Sequence, residues 1–148
     1  MKKQIRHISN KLTKTRVMVG SQELRRYIPV TRRMDKSVLH EMLQKYNMVY
    51  IKPCCGSLGK GVIRIKKAAS QRERLQYSYQ AGTHVRKFPD YDTAYRAIFS
   101  ETLGKSYLVQ KGIRLLVYDG RPFDIRVMVQ RNPKGHWEAT GVAGRVAH

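Results

Sequence analysis

Between Asp35 and Tyr46 the apolar residues Val38, Leu39, Met42, Leu43 and Tyr46 recur at helical spacing, which predicts one amphipathic helix stopped by Asn47. The apolar run Met48–Ile51 then leads into Lys52-Pro53-Cys54-Cys55-Gly56-Ser57-Leu58-Gly59-Lys60-Gly61, and the alternating run Val62–Ile65 leads out. Three glycines and a serine within residues 56–61 suit neither a helix nor a strand interior, so the pattern predicts a strand–loop–strand hairpin. The stretch between Gln71 and Gln80 is polar with alternating Tyr77 and Tyr79, and Val85–Phe88 is its expected return strand across Ala81-Gly82-Thr83. Asp92 is the expected cap of a second helix with the face Tyr95, Ile98, Phe99 and Leu103, ended by Gly104. Short strands follow at Tyr107–Gln110 and Ile113–Tyr118, with Asp119-Gly120 as a two-residue hairpin signal. In the returning strand, Phe123, Ile125, Val127 and Val129 share one face, and Asp124, Arg126, Met128 and Gln130 share the other. Asn132-Pro133-Lys134-Gly135 turns the chain into a last strand from Trp137. Upstream, residues 1–26 are basic and weakly patterned, a loosely ordered lead-in, and Ile28–Thr31 reads as an extended segment ending at a helix cap. The class is α+β with mostly antiparallel strands.

Charge changes this picture. Thirty Lys and Arg face ten Asp and Glu in 148 residues, a formal net charge of +20. Twelve basic and three acidic residues precede Met48, and eighteen and seven follow, so the excess is spread along the chain. Such a surface attracts polyanions, whether nucleic acid, acidic polymer, anionic lipid or nucleotide. The two cysteines are adjacent, Cys54 and Cys55, and provide no disulfide framework. The five histidines have no metal-ligand spacing with each other or with the cysteines. Met1-Lys2-Lys3 is followed by polar residues where a signal peptide needs an apolar stretch, and no run approaches transmembrane length. A soluble, cytoplasmic protein is the expectation.

The candidate chemistry lies in the glycine-rich stretch. Backbone N–H groups of such a turn can converge on an anion, and Lys52 and Lys60 at its ends supply point charges that hold phosphate. It is not a Walker loop, since no Lys-Ser or Lys-Thr follows in the required place, nor a dinucleotide fingerprint, which must open a helix. A plain glycine-rich hairpin is the competing reading. Asp124 and Arg126, two apart on a strand, point the same way, and an arginine fixed on a strand suits oxyanion contact. A charged pair opposite an apolar stripe is equally what a solvated face looks like.

Five segments in order carry a resemblance: Val49–Pro53, Gly56–Gly61, Tyr107–Ile113, Gly120–Val127 and Thr140–Val146. Together they resemble an ATP-grasp protein of the YheC/YheD-like, endospore-coat-associated branch, over roughly residues 27–148. The resemblance implies ATP held between two α+β lobes: residues 1–47 as basic lead-in and helix, 48–109 as a small lobe with the glycine-loop hairpin, and 110–148 as the hinge strand and first strands of a large antiparallel lobe. It implies that Lys52 contacts the nucleotide phosphates and that Gly56, Ser57, Gly59, Lys60 and Gly61 form the mobile loop over them. Gln110, Lys111 and Ile113 would belong to the hinge strand whose backbone reads the adenine edge. Arg126 would meet the transferred phosphoryl group or an acyl-phosphate, Asp124 would position it, and Arg145 would be another phosphate-side arginine. The superfamily activates a carboxylate as an acyl-phosphate for attack by an amine or thiol, so a carboxylate acceptor is implied, its identity unknown.

Magnesium ligands of the superfamily lie on strands beyond His148, so the large lobe is expected to be incomplete, with no metal site, with Mg2+ a cofactor only of a complete parent protein, and with turnover absent from this chain alone. An unfinished sheet would leave an apolar face that favours self-association. Two other readings remain: a basic binding module for nucleic acid or acidic polymer, with Tyr77, Tyr79, Tyr91 and Tyr95 stacking on bases, and a structural spore-layer component without catalysis.

Overall fold

A computed structural model describes residues 8–69 and 75–146, so residues 71–74 of the expected tyrosine-bearing strand and the first seven residues of the lead-in lie outside the described residues. The chain forms two compact units, one through Gly112 and the other from Ile113. Both are built on antiparallel sheets, the first with helices packed on it, as an α+β chain should be.

The first unit centres on a six-stranded sheet. In chain order its strands are β1 (Thr31–Arg33), β2 (Met48–Pro53), β3 (Ile63–Ala69), β4 (Leu75–Ala81), β5 (His84–Phe88) and β6 (Tyr107–Lys111), arranged β1-β6-β2-β3-β4-β5. Strand alternation sorts the residues. Val109, Ile51 and Ile63 lie opposite one another, as do Val49, Ile65 and Tyr79, and all six are buried. Onto that face pack helices α3 (Lys36–Tyr46), through Leu39, Met42 and Leu43, and α4 (Tyr91–Thr102), through Ala94 and Ile98. The other face carries the row Thr31, Gln110, Tyr50, Arg64 and Gln80, each directly across from the next.

Helix α3 follows its apolar periodicity. Asp35 caps it by accepting from the Val38 N–H at 2.8 Å, and Asn47 closes it in the left-handed conformation, φ 57°. Several expectations need correction. Residues 8–26 are not a loose lead-in: Asn10 caps α1 (Lys11–Gly20), and α2 (Gln22–Arg25) follows. Neither helix buries a residue, so neither shows the apolar stripe that marks a helix in sequence. The segment Ile28–Thr31 is strand only from Thr31, and the cap that follows is Asp35.

In α4 the cap is Asp90, not Asp92. Its carboxylate accepts from the N–H and the hydroxyl of Thr93, both at 2.8 Å, and the buried face is Ala94, Ile98 and Thr102 while Phe99 and Leu103 are exposed. Leu103 and Gly104 both take positive φ and end the helix.

The second unit is a three-stranded sheet, β7 (Leu116–Tyr118), β8 (Arg121–Arg131) and β9 (Trp137–Val146), in that order. Strand β7 is shorter than the expected Ile113–Tyr118. Asp119 and Gly120, φ 48° and 70°, form the tight turn their sequence announces. A bulge between Met128 and Val129 shifts the pairing with β9. Among the described residues of this unit none is buried.

Candidate functional site

The glycine-rich stretch forms the connection between β2 and β3. Gly56, Leu58, Gly59 and Gly61 all have positive φ. Two short turns close it, with Lys60 N–H donating to Ser57 O at 3.3 Å and Val62 N–H to Gly59 O at 3.2 Å. Gly61 is required twice over: its φ is +73°, and a Cβ there would come within 2.9 Å of the Tyr107 hydroxyl. Ser57 and Lys60 are exposed on this loop. Below it lies a hollow of about 310 Å³ lined by Tyr50, Gly59, Val62, Arg64, Gln80 and Gly82.

Lys52, at the end of β2, is half-buried on the same side of the strand as Tyr50. Its ammonium donates to Gln110 Oε1 at 2.6 Å. Gln110 in turn donates through Nε2 to Thr31 Oγ1 at 2.8 Å, and that hydroxyl donates to Pro29 O at 2.8 Å. The single hydroxyl proton of Thr31 is thereby used, so the hydroxyl can only accept from Gln110. Burial lowers the proton affinity of Lys52, and the neighbouring positive charge of Lys11 lowers it further.

In the hinge segment the structure brings Gln110 to Lys52 through its side chain. The N–H groups of Lys111 and Gly112 are both engaged within the first unit, with Val30 O at 2.8 Å and Met48 O at 3.0 Å. Gly112 has to be glycine, since a Cβ would press on the Met48 side chain and lie 2.9 Å from the backbone oxygen of Met48.

In the second unit Asp124 on β8 sits across from Arg145 on β9. Its two carboxylate oxygens accept from Arg145 Nε at 2.9 Å and from Arg126 Nε at 3.1 Å. These two bonds, that of Arg145 first, hold the Asp124 carboxyl below the usual carboxylate range. One negative charge is shared by two guanidinium groups, both well exposed, so the cluster keeps a net positive charge and offers anion-binding forks. Ile113 is exposed at the start of this unit. Among the described residues no three His, Cys, Asp or Glu side chains meet as a metal cluster, and Asp124 is already engaged by two arginines, so these groups do not build a magnesium site.

Two residues near the loop escape a reading of the sequence. Arg64 lies under it and donates to Gln80 Oε1; its alternation with Ile63 and Ile65 was the available signal. Lys11 contacts the loop from a helix more than forty residues upstream, and no local pattern announces it.

The chain matches the YheC/D-like ATP-grasp family over residues 5–148 and belongs to it. It is 29% identical over 115 residues to the endospore coat-associated protein YheD of Bacillus subtilis (strain 168), covering 74% of this chain and 24% of that protein. It is 27% identical over 122 residues to the endospore coat-associated protein YheC of the same organism, covering 80% of this chain and 32% of that protein. The chain thus spans about a quarter to a third of the length of these curated relatives. No solved structure matches it.

Proposed function

We propose that this protein binds ATP, with Lys52 and the loop residues Gly56, Ser57, Gly59, Lys60 and Gly61 holding the phosphates. The observation that carries the reading is the state of the Lys52 ammonium. It is half-buried and faces a neutral amide with a second lysine nearby, so an arriving polyphosphate stabilises it on every count. Gln110 aims that ammonium. With the N–H groups of Lys111 and Gly112 engaged elsewhere, the purine-reading N–H of the hinge is assigned to Ile113.

Arg126 and Arg145 are assigned to the transferred phosphoryl group or an acyl-phosphate, with Asp124 positioning Arg126. The proposed chemistry is that of the superfamily. The terminal phosphoryl group of ATP passes to a carboxylate, ADP leaves, and an amine or thiol displaces the phosphate. The names of the relatives support a place for this activity at the endospore coat.

Isothermal titration with ATP at fixed ionic strength tests the site. Lys52→Ala and Arg126→Ala are each expected to weaken binding about tenfold, the scale of a charge-assisted hydrogen bond. Equal binding by all three proteins would overturn the assignment, because the overall charge of +20 would then account for the affinity.

A further inference from the structure

Lys11 opens α1, and three of its hydrogen bonds end on the glycine loop. Its backbone N–H, an unpaired donor of the first helical turn, donates to Cys54 O at 2.7 Å. Its ammonium donates to Pro53 O at 3.0 Å and to Gly56 O at 2.8 Å. The cap residue Asn10 serves Leu12 N–H at 2.9 Å and Thr13 N–H at 3.2 Å, so the Lys11 N–H is left for the loop. The rest of α1 buries no side chain. One residue therefore ties a surface helix to three carbonyls within four positions of the loop.

A peptide unit is planar, and its C=O and the following N–H point in opposite directions. Fixing the carbonyls of Cys54 and Gly56 therefore also fixes the N–H groups of Cys55 and Ser57, which point away from the lysine. The Pro53 carbonyl is fixed in the same way, and the following Cys54 N–H donates to Ser106 O at 2.9 Å. The first half of the loop is thus clamped on both sides. Its N–H groups are held in one orientation before any anion arrives, which is what makes a backbone nest effective.

We propose that Lys11 is a positioning residue for this loop: by gripping the carbonyls of residues 53, 54 and 56 it presets the loop's N–H groups for phosphate and makes α1 part of the site. The proposal rests on the reading of the loop as a phosphate binder. It is tested with Lys11→Met, which keeps the length of the side chain without its donors, and Lys11→Arg, which keeps charge and donors.

Amide hydrogen exchange without nucleotide, read at Cys54, Lys60 and Val62, reports the grip itself. Titrations with ATP and with adenosine report its use. In Lys11→Met, exchange at the loop is expected to accelerate about tenfold and ATP affinity to fall about tenfold, with adenosine binding unchanged. Lys11→Arg is expected to restore both. Unchanged loop exchange in Lys11→Met would overturn the grip whatever the protein binds. Faster exchange with undiminished ATP affinity, or an equal loss for adenosine, would overturn the role in phosphate binding. Absence of ATP binding by the wild type would overturn the nucleotide reading and with it the phosphate role, and loop exchange would still decide the grip.

Discussion

Lys52 is a base whose charged form is penalised by the fold, and this penalty can be read in solution. Burial and the charge of Lys11 hold its proton affinity below the ordinary lysine value of 10.5. In the window between the lowered value and the ordinary one, the unfolded chain binds a proton that the folded chain has released. Stability therefore rises with pH across that window, by the linkage between proton binding and folding. Urea unfolding at several pH values from 8 to about 10 should show this rise in the wild type and a smaller one in Lys52→Met. The proposed binding of ATP at Lys52 would reverse the penalty, so it should be accompanied by proton uptake in the same window. Titrations in two buffers of different ionisation enthalpy would show that uptake, and Lys52→Met should lack it. At this scale the sequence shows Lys52 and the glycines, because flanking runs and spacing mark them. It does not show the lowered proton affinity, which comes first from burial in the folded sheet and then from the charge of Lys11 on a distant helix.

Helices α3 and α4 have similar sequences of signals, yet only α3 is placed correctly from sequence. In α3 one aspartate stands before one apolar stripe. In α4 two aspartates, Asp90 and Asp92, stand two residues apart, and two stripes compete. The stripe that is buried includes the small and polar residues Ala94 and Thr102, whereas the larger Phe99 stacks on Tyr95 at 6.0 Å along the surface. Hydrophobicity alone finds Ile98 and Tyr95, which pack in or on the core, but adds the exposed Phe99 and Leu103 to the face. The two aspartates are separable by experiment. Asp90 accepts two hydrogen bonds at the helix start, so Asp90→Ala should lower stability more than Asp92→Ala does. Asp92 makes an exposed ion pair with Lys36 at 2.6 Å, so Asp92→Ala should cost about 0.5 kcal/mol or less. Urea unfolding of the two variants under identical conditions checks the order. Helix α1 is illegible for a different reason: polar contacts of its first residue hold it, and these have no period.

At the scale of the molecule, the two units differ in what their strands achieve. The apolar alternation of β2 and β3 becomes core, whereas that of β8 does not: Ile125, Val127 and Val129 stay more than half exposed, as do Trp137 and Val142 on β9. The alternation is legible in both cases, but a pattern says which face is apolar and not what covers it. Exposed apolar strands of this kind attract one another, and the positive charge opposes contact over a distance that salt shortens. Sedimentation of nucleic-acid-free protein should therefore show association increasing between about 0.05 and 0.5 M salt. Val127→Lys should reduce it. A monomer at every salt concentration would show that the face is inert.

The hydrogen-bond chain Thr31–Gln110–Lys52 has a sense of direction. A carboxamide is asymmetric, and with its nitrogen end engaged by a hydroxyl that has no proton left to give, its oxygen end must face the lysine. Lys52 therefore meets an electron-rich atom because of a bond made on β1, beyond β6. Were the amide to turn over, two donors would confront each other and the ammonium would be driven off its present line. The alignment of the proposed phosphate-holding charge is thus written in the polarity of a single dipole and can be lost without any displacement of the backbone.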